Sequence, residues 1–287
     1  MESVEGEYNW TAADKQLEWC EANRLMVRGG PLVDLGPNGL PAWLARWEHD
    51  VPNLQSFICD FVETAVSRYV GRIRVWEICS HMTTGGALSL TEEARLTLVA
   101  RLLDVARQVD EEAQLFLRIN EPWGDYQSQG QHRLSPLQLV DALIRAGVGL
   151  SGVNLEISTG YVTNRSGNRD LLELSRLIDL WTMLDVPIVV TLICPSSELP
   201  DPLASPESIV DGRTWPGPGN ETIQSNWITQ VLELLVAKLR VAGVFLPHFS
   251  DGAPHEFPHA GLLRADQTPK TVAGKIVEQR QYHRRKP

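Results

Sequence analysis

Two carboxylates, one histidine and a set of loop aromatics are the residues of this sequence whose types and spacing suit chemistry. Glu121 stands in Asn120-Glu121-Pro122-Trp123, directly after an apolar run, and Glu156 closes the next such run. Adjoining strands lie about 4.8 Å apart, so two inward acids at their ends would approach each other. Hydrolysis of a glycosidic bond by double displacement needs two carboxyl groups about 5 to 5.5 Å apart, one as proton donor and one as nucleophile. An acid beside a loop serves equally as a hydrogen-bond acceptor for backbone or sugar hydroxyls, and the residues alone leave both uses open.

His81 ends the run before these two, and its ring titrates near neutral pH. No carboxylate partner for it can be picked out, and a polar strand-end residue without a proton-transfer role is the plainer reading. Trp123 and Tyr126 begin the loop between the acids, and Trp43 and Trp215 fall in other loops. Flat rings stack on the apolar faces of sugars, although loop tryptophans also anchor loops. Arg169 follows the second acid's strand and could be set against Glu156, while Asp170 beside it reads as a helix N-cap. His248, Asp251, His255 and His259 gather near the end, but their irregular spacing argues against a metal site, and no cofactor is implied.

Six short apolar runs must position these residues: Leu25 to Gly29, Ile73 to Cys79, Leu115 to Asn120, Val153 to Ile157, Ile188 to Cys194 and Val241 to Phe249. Each reads as a buried parallel strand. Amphipathic stretches separate them, with helix starts at Ser89-Leu90-Thr91-Glu92 and Ser135-Pro136-Leu137-Gln138, where a hydroxyl caps and the acid or amide reaches back. The last long helix pattern runs Ile228, Val231, Leu232, Leu235, Val236 and Leu239. Trp19, Trp76, Trp181 and Trp227 fall on helix or strand positions and read as packing. Alternation of this kind means a parallel sheet with right-handed crossovers, and with no glycine-rich phosphate loop a closed barrel is favoured over a nucleotide-binding sheet. Long polar loops at Gly124 to Leu134 and Pro195 to Ser225 then lie on the substrate face of that barrel.

The 287 residues, 43% of them hydrophobic, suffice for one large domain, and the net charge of −10 disfavours nucleic acid and anionic membranes as partners. No apolar run spans a bilayer and the first residues lack a signal-peptide pattern, which implies the cytoplasm if Met1 is the true start and secretion if the chain is a fragment of a longer precursor. Cys20, Cys59, Cys79 and Cys194 lack metal or redox spacing and read as free thiols, three of them buried. Three glycosylation triplets begin at Asn9, Asn164 and Asn220.

Several motifs share one resemblance. Glu7-Tyr8-Asn9-Trp10, Arg28-Gly29, Leu40-Pro41-Ala42-Trp43, Ser67-Arg68-Tyr69-Val70-Gly71-Arg72 and Trp76-Glu77-Ile78-Cys79-Ser80-His81 follow one another in the order and spacing of the xylanases of glycoside hydrolase family 10, which this sequence resembles over nearly its whole length. Leu117-Arg118-Ile119-Asn120-Glu121, Ser151 to Ser158, Pro187 to Leu192 and Ser250-Asp251 with Gly261-Leu262-Leu263 and Pro269-Lys270 continue the pattern. The resemblance implies a single (β/α)8 TIM barrel over residues 1–287, N-terminally incomplete because the family's first two strands have no counterpart. A partner chain or a missing N-terminal segment would then complete the barrel. It places the acid/base glutamate at His81 and the nucleophile at Leu192, and puts Asp251 among the substrate-binding residues. The expected partner is therefore a neutral β-glycan, held on a degenerate hydrolase scaffold without retaining xylanase activity. The alternative is a divergent glycosidase with Glu121 and Glu156 as relocated carboxylates. On barrel topology His81, Glu121, Trp123, Tyr126 and Glu156 should surround one cleft at the strand ends.

Overall fold

Apolar, β-branched runs flanked by amphipathic segments produce alternating strands and helices in the computed structural model, which describes residues 2–129, 132–162, 169–211 and 220–285. In chain order these are β1 (Glu2–Val4), β2 (Glu7–Tyr8), α1 (Thr11–Ala22), β3 (Arg28–Gly29), β4 (Val33–Asp34), α2 (Val51–Tyr69), β5 (Val75–Ser80), α3 (Glu92–Val109), β6 (Gln114–Ile119), α4 (Pro136–Arg145), β7 (Gly152–Ser158), α5 (Leu171–Trp181), β8 (Ile188–Ile193), α6 (Glu221–Val236), β9 (Val241–Phe245) and α7 (Thr271–Arg285). The chain divides into two compact units, Met1–Asn120 with Gln127–Asn154, and Glu121–Tyr126 with Leu155–Pro287.

In the first unit β3 and β4 both pair with β5 in parallel, Arg28 opposite Val75 and Asp34 opposite Ser80, and β5 pairs with β6, Trp76 opposite Leu115. β3 and β4 together occupy one strand position, interrupted at Gly30-Pro31. Gly30 sits at φ +102 and a Cβ there would run into the Glu77 carbonyl, so only glycine fits, while Pro31 has no N–H for the ladder. This corrects the expected strand from Leu25 to Gly29: Leu25 and Met26 are exposed, and pairing begins at Arg28. A β1–β2 antiparallel hairpin turning at Gly6 precedes α1 and was not foreseen.

The second unit carries β8 and β9, paired in parallel from Ile188 opposite Val241. β8 is buried throughout, whereas β9 is half-buried to exposed along its length and stops at Phe245, short of the expected Phe249. It ends the strand order among the described residues, so no further ladder covers its far side. The strand order and the intervening helices make the fold that of a (β/α)8 barrel of the glycoside hydrolase type, of which the described residues supply six strand positions.

Local signals explain where helices begin. Ser135 and Gln138 form the expected capping box of α4, whereas at α3 the cap is Thr91 rather than Ser89, its hydroxyl accepting from Ala94 N. Asp170 caps α5 in a box with Glu173, and Asn220, part of a glycosylation triplet, caps α6. α6 ends at Val236, so Ile228, Val231 and Leu235 are buried while Val236 and Leu239, expected on the same stripe, are exposed. Trp76 and Trp181 are core residues as expected, but Trp19 is exposed. The Glu7–Trp10 and Ser67–Arg72 motifs meet as scaffold: Arg68 and the Tyr69 hydroxyl both bond the Asp14 carboxylate, tying α1 to α2, with the Arg68 guanidinium over Trp10. All four cysteines are free, and Cys59, Cys79 and Cys194 are buried.

The interior of the first unit centres on one carboxylate. Glu77 is fully buried, accepts from Arg118 Nε at 2.6 Å and Asn154 Nδ2 at 2.6 Å, and pairs with Arg28 at 3.2 Å. Removing one member of such a buried group leaves uncompensated charge. Glu77→Ala should therefore lower the unfolding free energy by about 3 to 5 kcal/mol, read from urea denaturation; a change within the range of a surface substitution would show that the two arginines are stabilised by other means.

Candidate functional site

Side-chain alternation carries this polar interior toward the C-terminal strand ends. Arg118 and Asn120 share one face of β6 and its extension, and where Arg118 meets Glu77, Asn120 Oδ1 accepts the backbone N–H of His81 at 2.7 Å. His81 follows β5 directly and has φ +52, a left-handed conformation that is costly for a residue with a side chain. Its Nδ1 lies 2.6 Å from Asp34 Oδ1, at the end of β4, and the same oxygen accepts the Gly36 N–H at 2.9 Å. Any side chain at Gly36 would collide with the His81 ring, and one at Gly39 with the Asp34 carboxyl, so the turn 36–39 wraps the pair closely. Sequence reasoning found His81 but missed Asp34, which is 47 positions away and becomes its neighbour only through parallel pairing of β4 with β5.

The pair is electrostatically defined. Burial pushes the Asp34 carboxyl up, but the His81 ring and the Gly36 amide outweigh it and hold the group below the usual carboxylate range. An ionised Asp34 accepting from Nδ1 leaves Nε2 as the atom where the neutral ring gains or loses its proton.

Glu121, Trp123, Tyr126, Glu156, Arg169 and Asp251, also expected at the site, fall in the second unit. Glu156 lies within β7 and is buried, on the same strand face as Asn154 and Ser158, while Glu121 is half-buried in the turn closed by Gly124 N to Glu121 O. Trp123 is half-buried and Tyr126 is buried, so of these two expected sugar-stacking rings Trp123 is the accessible one. Arg169 does not engage Glu156. Its guanidinium bonds Asp125 at 2.9 Å, approaches Glu173 at 3.5 Å and lies 5.6 Å from the Trp123 ring centroid, because the N-cap at Asp170 starts α5 with Arg169 directed at the loop after β6. Trp123, Ser158, Thr159, Arg169, Trp227 and Gln230 line a cavity of about 480 Å³. Trp227 packs against the Cys194, Ile228 and Val272 cluster as expected and also lines this cavity.

Asp251 is buried, its Oδ1 accepting the Gly261 N–H and its Oδ2 2.5 Å from Lys270 Nζ, which fastens the loop after β9. Leu192 is buried within β8. Trp43 lies on a 3-10 turn (Ala42–Trp47), edge-on to Phe57, in the wall of a second cavity of about 1060 Å³ in the first unit beside β3, with Trp10, Trp19, Phe61 and Trp76. Trp215 and the triplet at Asn164 lie outside the described residues. Among the described residues no group of histidine, cysteine and acidic side chains could hold a metal ion, and no helix is long and apolar enough to cross a membrane.

Strand order and the intervening helices define a (β/α)8 barrel of the glycoside hydrolase type. The family model of glycosyl hydrolase family 10 matches residues 1–186, and the chain belongs to that family. It is 24% identical over 160 residues to endo-1,4-beta-xylanase B of Thermotoga neapolitana, covering 54% of this chain and 44% of that protein. It is 29% identical over 121 residues to endo-1,4-beta-xylanase 3 of Hypocrea jecorina, covering 41% and 34%. The chain thus spans less than half the length of these curated relatives. Among solved structures, native xylanase 10B of Thermotoga maritima superimposes with a TM-score of 0.71 at 18% identity, over 99% of this chain and 84% of that one. Xylanase 10B of Thermotoga petrophila RKU-1, in complex with xylobiose, gives 0.66 at 16%, over 96% and 80%.

A depressed carboxyl stabilises the fold above the ordinary carboxylate range, and that contribution is lost as pH falls through its folded value. Wild-type stability should therefore decline more steeply than that of Asp34→Asn between about pH 5 and about pH 2, measured by urea unfolding; parallel curves would show that the His81 contact is energetically idle.

Proposed function

We propose that this chain binds neutral β-glycans on a glycosidase barrel in which the retaining two-carboxylate reaction does not operate. The observation that carries this reading is the His81–Asp34 pair, which stands where the family resemblance locates the acid/base glutamate. The ring can exchange a proton, but double displacement also needs a nucleophile, and the corresponding position is the buried Leu192. A hydrocarbon side chain has no lone pair with which to attack an anomeric carbon.

Retention of glycan binding is supported by the pocket in the second unit. Two indole rings, Trp123 and Trp227, with Ser158, Thr159, Arg169 and Gln230, combine stacking surface with hydroxyl and amide hydrogen-bonding groups, the mixture that suits a polyhydroxylated neutral ring. The relatives are named as xylanases and one was solved with xylobiose, which makes xylo-oligosaccharides the first ligands to try. The cavity beside β3 is read as the place of further barrel strands, supplied by polypeptide outside the described residues or by a partner chain.

Calorimetric titration with xylo-oligosaccharides should show binding that Trp123→Ala weakens by about 1 to 3 kcal/mol, the scale for losing an aromatic anchor. Unchanged affinity in a folded Trp123→Ala protein would remove the pocket from the site. Hydrolysis of xylan that disappears in Glu121→Gln or Glu156→Gln would replace binding alone with a glycosidase using those relocated acids.

A further inference from the structure

Two buried polar atoms that no protein group satisfies belong to side chains lining the cavity of about 480 Å³ in the second unit. Thr159 stands just past the end of β7 and is 6% exposed. Its backbone N–H goes to Ile193 O at 3.0 Å, but its hydroxyl has no partner. Arg169 directs Nη2 to Asp125 at 2.9 Å and turns Nη1 to Glu173 at 3.5 Å, which leaves its buried Nε–H with nothing to donate to. A buried hydroxyl or N–H without a partner lowers stability, so two of them on one cavity call for a ligand that completes them.

Charge and shape narrow what that ligand is. Asp125 and Glu173 offset the Arg169 charge, and Asp170 on the same wall is committed to capping α5, so an uncharged molecule suits the cavity better than an anion. The half-buried indoles of Trp123 and Trp227 offer stacking surface. At depth the cavity ends on Ile157, Leu174 and Val231, all buried, while Leu171 and Leu172 at the start of α5 are exposed and form its lip. A chain running through a site needs an opening at each end, and a pocket floored by buried side chains and entered over one lip has a single opening. Its volume is near the lower end of the range of about 300 to 1,000 Å³ usual for ligand pockets, too small for a long chain segment. We infer that this pocket takes the terminal ring of a neutral glycan end-on, with Arg169 Nε donating to a ring or hydroxyl oxygen and Thr159 Oγ1 bonding a sugar hydroxyl. The inference rests on the glycan-binding reading above and adds to it which part of the glycan is recognised: a chain end, not the middle of a chain. Thr159 and Arg169 are then the specificity-determining polar groups, and the indoles supply surface that any sugar ring could use.

Calorimetric titration with xylobiose, xylotetraose and xylohexaose tests the end-on geometry, because only one ring enters the pocket whatever the chain length. The three dissociation constants should agree within about threefold, and a larger gain in affinity with length overturns the inference while leaving glycan binding intact. Thr159→Val replaces the orphan hydroxyl by a methyl group of similar size. It should weaken xylobiose binding by about threefold to tenfold, the worth of one hydrogen bond, and leave the urea midpoint of the sugar-free protein unchanged or higher, since nothing in the fold loses a partner. Unchanged affinity, or a lowered midpoint that reveals a structural role for the hydroxyl, overturns the inference. Arg169→Lys keeps a cation facing Asp125 but has no Nε–H, and its affinity should fall to a similar extent; full affinity in that variant also overturns it. Failure of all three oligosaccharides to bind removes the glycan-binding reading and this inference together.

Discussion

A fully buried carboxylate, Glu77, is the constraint on which the first unit is organised. An unpaired charge in a low-dielectric interior costs far more than marginal stability can absorb, so β3, β6 and β7 must each deliver a partner to it. Arg28, Arg118 and Asn154 do so from three different strands, and their contacts fix how those strands align with β5. A one-residue slip of β6 would turn Arg118 to the opposite face and leave Glu77 without its shortest cationic contact.

Alignment set at Glu77 determines what happens above it. Two residues beyond Arg118 comes Asn120, whose side chain takes the His81 amide, and the parallel partner strand ends at Asp34, which takes the His81 ring. The strained backbone of His81 is tolerated because amide and ring are both held, and because Gly36 leaves room for the imidazole. A layer of charge that stabilises the barrel interior thus also orients a titratable ring at the end where barrels do their chemistry.

The second unit uses loops for the same purpose. Asp251 with Lys270, Asp201 with His255, and the Tyr161 hydroxyl on the Pro258 carbonyl fasten long connections that have little regular structure of their own. Tyr161, Ile193, Phe257 and Ala260 form a small apolar cluster beneath them. Polar contacts in this region are shielded from water, so each buried group has to find a partner or a compensating charge, which is why acids and histidines gather there without the spacing of a metal site.

Family membership and the alternation of strand and helix were legible in the sequence, because short apolar runs, capping residues such as Ser135 and Asp170, and motif order are local signals that survive wide divergence. Five of the six strand runs were placed to within a few residues, and the first failed because exposed Leu25 and Met26 mimic a buried run while the real strand is split at Gly30-Pro31. Sequence also placed His81 directly after its strand and Glu121 and Trp123 in the loop after the next strand, whereas Glu156, expected to close its run, lies inside β7. What only the tertiary structure decided was partnership: Asp34 for His81, Asp125 for Arg169, Lys270 for Asp251 and Asp201 for His255. Apart from the 19-residue step between Asp251 and Lys270, these partners stand more than 40 positions apart. Charge pairing acts through space over a few ångströms, and nothing in the linear spacing of such residues records which strand ends and loops the folded backbone will bring within that range.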